Sequence, residues 1–300
     1  MHRRADDATW HRAGEGGAEG RGRDVVEAQD ARGRLRIVVS LRPPAAADAA
    51  DGLATYGRRV LQPLSETPPL AVRHPVFRQT WGDLTMLHWP VQPSVVAPFM
   101  PAGTRPDVLD GVTYVGLIPF VMSRVSVLGT PPLPYLSRFA ETNVRLYATD
   151  DQGRRGVVFR SLEAARLLPV LTAQAAYALP YRWARMRVRH DAGTVAYETS
   201  RRWPGPRGAG GRIVVRPGEP VAADELSLFL TARWGLFSRL PGGRTAWAPV
   251  AHDPWLLHRA ELLELTDDLV TTAGLPAPTG APHVLWTPGV DVRFGRPRLA

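Results

Sequence analysis

The chain changes character near Val72. Before it, large apolar residues are sparse; after it, short apolar runs alternate with turns marked by proline and glycine, the pattern of many strands and few helices. Residues 80–91 (TWGDLTMLHWPV) read as a strand ended by Pro90 and Pro93, and residues 93–103 as a short helix or turn. Residues 111–128 are β-branched and apolar, one strand or two, and Pro119 within them requires a sheet edge or a bulge. Residues 137–164 hold two strand-like runs joined by the turn Asp150, Asp151, Gln152, Gly153, whose Asp and Gly suit hairpin geometry. The first run places Glu141, Asn143, Arg145 and Tyr147 at every second position, with Thr142, Val144 and Leu146 between them. The second run places Phe159, Ser161 and Glu163 at every second position.

Residues 161–179 shift to a helical composition, with Pro169 near the first turns or at a kink. Residues 180–190 alternate again, Arg185, Arg187 and Arg189 on one face and Met186 and Val188 on the other. A turn at 191–194, a Gly-rich loop at 205–211 and a strand at 212–217 follow. Residues 223–243 give the clearest helix, with Asp224 to cap it, a stripe of Leu226, Phe229, Leu230, Trp234 and Phe237, and PGG to stop it. A strand at 259–265, a short helix at 266–273 ending at Gly274 and a last strand segment within 283–297 complete the pattern. Runs of strands with few helices and no βαβ alternation predict an α+β domain, mainly antiparallel β, open to a barrel form. One such domain is expected over residues 72–300, behind a largely disordered extension and linker over 1–71. Residues 1–33 have too little apolar surface to offset their ordering entropy, while 34–41 could form a short strand.

Composition removes whole classes of chemistry. All 37 basic residues are arginine, and the 300 residues contain no lysine and no cysteine. A side-chain Schiff base, a lysine-anchored pyridoxal phosphate, a P-loop lysine, a thiolate nucleophile, a zinc–thiolate site and a disulfide are therefore all excluded. The net charge of +9 raises nucleic acid as a partner. The arginines are spread along the chain, however, and no aromatic platform accompanies the face at Arg185, Arg187 and Arg189, so nucleic acid is not favoured. The histidines show no metal-ligand spacing, and no cofactor fingerprint is present. No secretory h-region opens the sequence, and the apolar stretch at 167–180 is short for a bilayer, which leads us to expect a cytoplasmic protein with no membrane partner.

The candidate chemistry is the alternating polar face at 141–147. In a barrel such a face lines a lumen, and a binding lumen needs a few polar groups among apolar ones. On an open sheet it would look at water. Glu141 and Arg145 stand about 13 Å apart along an extended strand, so they cannot pair directly, and cross-strand neighbours must satisfy them.

Eight segments taken in order carry a resemblance: LHWPV at 87–91, DGVTYVGLIPFVM at 110–122, FAETNVRLYA at 139–148, VVFRSLEAAR at 157–166, LPYRWARM at 179–186, FLTARWGLF at 229–237, HDPWLLHRAEL at 252–262 and HVLWTPGVDV at 283–292. Together they resemble the uncharacterised YqjF-like family, domain of unknown function 2071, over about residues 73–298. The resemblance implies an acetoacetate-decarboxylase-like fold: a closed antiparallel β structure with flanking helices and an interior cavity. It favours the lumen for Glu141, Asn143 and Arg145. It supplies no reaction, and the lysine Schiff base of acetoacetate decarboxylase has no counterpart here.

Two functions remain open. In the first, a small organic molecule such as a carboxylate binds in the cavity, and a lyase, isomerase or hydratase reaction is compatible with the groups present. Arg145 would hold the carboxylate, and Glu141 or Glu163 would act as acid or base. His88, Asn143, Ser161, Tyr181 and His252 would complete the binding groups, the two histidines and Tyr181 as donors. In the second, the polar residues form a buried structural network of a non-catalytic binding or scaffold protein. An uncovered edge strand would invite a homodimer.

Overall fold

Among the described residues, thirteen strands in one hydrogen-bonded sheet make up the unit between Arg59 and Ala300. The computed structural model describes residues 24–29, 35–40, 60–131, 138–166 and 178–300. The unit formed by residues 1–58 contributes an antiparallel pair, β1 (Asp24–Gln29) and β2 (Leu35–Ser40). The strand expected within 34–41 is β2. β1 pairs with β2 within the segment expected to be largely disordered.

The larger unit runs β3 (Phe77–Val91), α1 (Pro93–Val96), β4 (Thr104–Pro106), β5 (Thr113–Val127), β6 (Phe139–Asp150), β7 (Arg155–Ala164), β8 (Tyr181–Asp191), β9 (Thr194–Trp203) and β10 (Gly210–Pro220). It continues with α2 (Glu225–Thr231), β11 (Gly235–Arg239), β12 (Thr245–His252), β13 (His258–Asp267), α3 (Leu269–Thr272), β14 (His283–Phe294) and β15 (Arg298–Leu299). Contacts to this unit begin ahead of Val72: Gln62 N–H donates to the Gly153 carbonyl at 2.8 Å, and Arg155 Nε donates to the Gln62 carbonyl at 2.9 Å.

The pairing is antiparallel except where β7 meets β8 and β11. From β6 the ladder passes through β5, β3, β14, β13, β10, β9 and β8 to β7, and β7 pairs with β6. A second path leaves β7 through β11 and β12 and rejoins at β14. The strands β14, β3, β5, β6 and β7 belong to both paths, so both of their faces are covered. One face carries Leu87, Leu117, Val144, Leu146 and Val158, packed with Val195, Ile213 and Val215 of the β8–β13 side. The other face looks toward β11 and β12. Thr142, Val144 and Leu146 are thus core, as their alternation predicts.

Pro119 lies in a single strand, β5. Opposite it the ladder to β3 is irregular between Gly82 and Leu87, and Asp83 there has φ 45°. A bulge meets proline's missing N–H, as the sequence required.

Two helical expectations fail. Ser161–Ala164 continue strand β7, and the remainder of the helix expected over 161–179 falls mostly outside the described residues. The helix expected over 223–243 ends at Thr231. Its cap is as predicted, Asp224 Oδ1 accepting from Ser227 N–H at 2.7 Å. The Arg233 side chain then folds back, its Nε donating to the Phe229 carbonyl at 2.8 Å, which satisfies a helix-end acceptor. Gly235 opens a strand between β7 and β12, where its missing Cβ leaves room for the Trp247 ring. The run 235–239 places Leu236 and Phe237 side by side with no alternation, and so short a run fits a doubly covered strand as well as a helix. Among the described residues no helix is long and apolar enough to cross a membrane.

Candidate functional site

The face of β6 that carries Glu141, Asn143 and Arg145 lines a cavity bounded by β3, β5, β6, β7, β11, β12 and β14. Its volume is about 90 Å³, room for a molecule of a few heavy atoms. Most of the wall is apolar, with Trp81, Phe120, Phe159, Leu236 and Trp255 prominent.

Arg145 is buried and positioned from behind. Its Nε donates to the Tyr147 hydroxyl at 3.0 Å, and its Nη2 donates to the Leu230 carbonyl at 3.4 Å. The same hydroxyl meets His88 Nε2 at 2.6 Å. Register explains how three large groups converge: His88, Gly116 and Arg145 occupy one row across β3, β5 and β6. A Cβ on Gly116 would stand 3.2 Å from the Arg145 side chain, the His88 ring and the Tyr147 hydroxyl, so glycine is what leaves them room. Arg145 Nη1 makes no hydrogen bond, and no carboxylate lies within ion-pair distance of Arg145, among the described residues. The nearby Asp107 is already shared by Arg155 (2.6 Å) and Arg233. Asp107 is thus taken up by two guanidiniums, and Arg145 is left without a carboxylate partner among the described residues.

Glu141 does not supply a charged partner for Arg145. Its Oε2 accepts from the Tyr181 hydroxyl at 3.1 Å, and burial, opposed by this hydrogen bond and reinforced by Glu163, raises its pKa from 4.5 to about 8. At neutral pH it is predominantly a protonated carboxyl, a donor rather than an anion. Between about pH 4.5 and 8 the folded chain keeps a proton that the unfolded chain has lost, so this group makes stability fall as pH rises through that window. Glu141→Gln removes the effect. The melting temperature of the variant minus that of the wild type should rise steadily across the window, and a flat difference would contradict the assignment.

Asn143 is buried, and neither end of its carboxamide makes a hydrogen bond among the described residues; Oδ1 has no access to solvent. Leaving such a group unsatisfied is costly, so it marks a position where a ligand group or a water belongs. His252 lies between Trp234 and Trp255, ring centroids 4.5 and 4.6 Å away, and burial lowers its pKa to about 4. Its Nδ1 is 2.7 Å from the Asp253 carbonyl, which only accepts, so Nδ1 carries the proton and Nε2 is left as an acceptor. His252 therefore offers the cavity a lone pair, not the donor expected from sequence.

Of the eight residues singled out, Glu141, Asn143, Arg145, Tyr181 and His252 line this cavity. His88 stands behind it, fully buried, with its pKa held well below the ordinary histidine value by burial and by the Arg145 charge. Ser161 and Glu163 are elsewhere. The β6–β7 register slips at Arg160, so that Arg145 faces Phe159 while Val144 faces Ser161. One extra residue turns every later side chain to the opposite face. Leu162 takes the cavity position, and Glu163 points into the other core, where it receives Arg201 Nη2 at 2.6 Å and Nε at 3.1 Å. Sequence reasoning missed Tyr147 as a positioning group and Arg233 and Thr231 as lining residues. Tyr147 was visible as the fourth member of the alternating row. Arg233 was concealed inside the overlong helix.

Comparison with known proteins fits this geometry. The model of domain of unknown function 2071, an uncharacterised conserved protein, matches residues 78–291. The uncharacterised protein YqjF of Bacillus subtilis (strain 168) is 30% identical over 223 residues, covering 73% of this chain and 90% of that protein. Among solved structures, the enduracididine biosynthesis enzyme MppR complexed with pyruvate superposes with a TM-score of 0.54 at 14% identity, covering 77% of this chain and 93% of that one. Acetoacetate decarboxylase from Legionella pneumophila gives 0.52 at 11% identity, covering 87% and 98%. At these identities the two structures show a shared fold, acetoacetate-decarboxylase-like and mostly β.

Proposed function

The chain belongs to the family of domain of unknown function 2071, and on that premise we propose that it binds a small organic acid in this cavity, with the carboxylate on Arg145. We read the circuit of β3, β5, β6, β7, β11, β12 and β14 as a closed barrel and the cavity as its lumen. The observation that carries the proposal is Arg145 itself: a buried cation in a mostly apolar pocket, with a free Nη1 and no carboxylate partner among the described residues. A buried charge is costly unless paired, and an anionic ligand supplies the pair. Asn143 offers a second polar contact to the ligand. The pyruvate held by MppR, a fold neighbour, supports a small 2-oxo acid as the first ligand to try.

The same groups suit acid–base chemistry on such an acid. The protonated Glu141 carboxyl gives a proton to an oxygen of the ligand as charge develops there, and His252 Nε2 accepts one from the ligand. That pairing fits an isomerase, hydratase or lyase that needs no Schiff base, which the lysine-free sequence could not form. A purely structural network would leave neither a free Nη1 nor an unsatisfied Asn143, so these two atoms favour a ligand over a scaffold.

A thermal-shift panel tests the proposal. Small carboxylates such as pyruvate and acetoacetate should raise the melting temperature, because a ligand of the folded state stabilises it by mass action. Their amides should not. Equal shifts with acids and amides, or none with any acid, would refute it.

A further inference from the structure

Beyond Tyr181, which lines the cavity, β8 presents an open sheet edge among the described residues. It pairs with β9 along its length but with β7 only through Tyr181, Arg182 and Trp183. From Ala184 to Val188 the other side of its backbone has no strand partner among the described residues. A groove of about 590 Å³ runs along that edge and is lined by six consecutive β8 residues, Trp183 to Val188. Five arginines also line it: Arg138, Arg166, Arg185, Arg187 and Arg202, and none of its lining residues is acidic. Arg138, Arg185, Arg187 and Arg202 have no carboxylate within ion-pair distance among the described residues; Arg202 lies over the Trp183 ring, 4.7 Å from its centroid. Glu198, opposite Arg187 on β9, is already held by Arg212 at 2.7 Å.

We propose that this groove docks an extended acidic peptide, which adds as a strand to the free edge of β8. The backbone edge supplies a ladder for main-chain hydrogen bonds, the usual source of affinity in strand addition, and alternate side chains supply specificity. Arg185 and Arg187 point to one face about 6.6 Å apart, the spacing of alternate residues of an added strand. Aspartate or glutamate at every second position meets them. The intervening positions turn to the opposite side of the added strand and are apolar, as are Val121, Phe139 and Met186 among the groove's lining residues. A second copy of this chain fits less well. Two β8 edges paired antiparallel would set Arg185 and Arg187 against their own counterparts, and like charges directly across a ladder destabilise it. Nucleic acid matches the charge but makes no use of the backbone edge.

The test is fluorescence anisotropy on the full chain with a labelled seven-residue peptide alternating Glu and Val. Three comparisons accompany it: the same peptide with Lys for Glu, a version N-methylated at alternate residues, and a single-stranded oligonucleotide. The acidic peptide should bind, and the basic and N-methylated peptides should bind at least tenfold more weakly. Arg185→Glu/Arg187→Glu, both exposed positions, should lose the acidic peptide and gain the basic one while keeping the wild-type melting temperature. Amide exchange from Ala184 to Val188 should slow when the acidic peptide is added. The proposal is overturned if the acidic peptide fails to bind, if N-methylation or charge reversal leaves its affinity unchanged, or if the oligonucleotide binds through Arg185 and Arg187 and the peptide does not. A dimer in sedimentation that Arg185→Glu/Arg187→Glu dissolves would also overturn it, since the edge would then belong to a second copy.

Discussion

Arg145→Gln will abolish carboxylate binding and leave the fold as stable as before, or more so. Truncating one partner of a buried, hydrogen-bonded charge pair costs about 2–5 kcal/mol, so affinity for a bound acid should fall about 30-fold or more. The fold loses two hydrogen bonds, to Tyr147 and Leu230, worth roughly 1 kcal/mol each. It also sheds the desolvation cost of a buried guanidinium with no carboxylate beside it, about several kcal/mol. The second effect offsets the first. Titration calorimetry and urea denaturation on the same preparation separate the two. A variant that loses stability and keeps its ligand would show Arg145 to be structural.

Glu163→Ala will do the opposite. Glu163 and Arg201 are 0% and 2% exposed and form a two-point ion pair in the core shared with β9. Removing the carboxylate strands a buried cation, and breaking a buried pair in this way costs about 3–5 kcal/mol. Any protein that still folds should bind acids as the wild type does, because Glu163 faces away from the cavity. A loss under about 1 kcal/mol, or a specific loss of binding with stability intact, would contradict this placement. Replacing both partners with apolar residues of similar volume should recover most of the stability, since it removes the desolvation cost along with the attraction.

The contrast between these two residues shows what the sequence could and could not reveal. Both are charged members of alternating rows, and by period alone both belong to one polar face. The row on β6 is unbroken, so Glu141, Asn143 and Arg145 were legible as a set, and Tyr147 with them. The row on β7 is broken by the extra residue at Arg160, and no residue type there announces a bulge. The strands β3, β5, β10, β13 and β14 were readable because apolar or alternating runs were bounded by Pro, Gly or Asp turns. The strands β11 and β12 were not. The first is a five-residue run downstream of a well-capped helix, and the second, interrupted by Pro249, carries no strand signal of its own. Both are covered on two faces, where the alternation that identifies a strand disappears. Arg233 and the acceptor role of His252 depend on backbone carbonyls, Phe229 and Asp253, which no side-chain pattern reports.

The open edge of β8 was half visible. The alternation of Arg185, Arg187 and Arg189 was plain, and so was its exposed character. Its proximity to Arg138 and Arg166 was not, because those residues come from the ends of β6 and β7 and meet β8 only through the fold.

The central claim, that the cavity takes a carboxylate on Arg145, is tested most directly by a crystal structure of the protein soaked with pyruvate at saturating concentration. The expected result is density in the cavity with a carboxylate oxygen about 2.7–2.9 Å from Arg145 Nη1. An empty cavity under those conditions, or a ligand bound with its carboxylate away from Arg145, would contradict it.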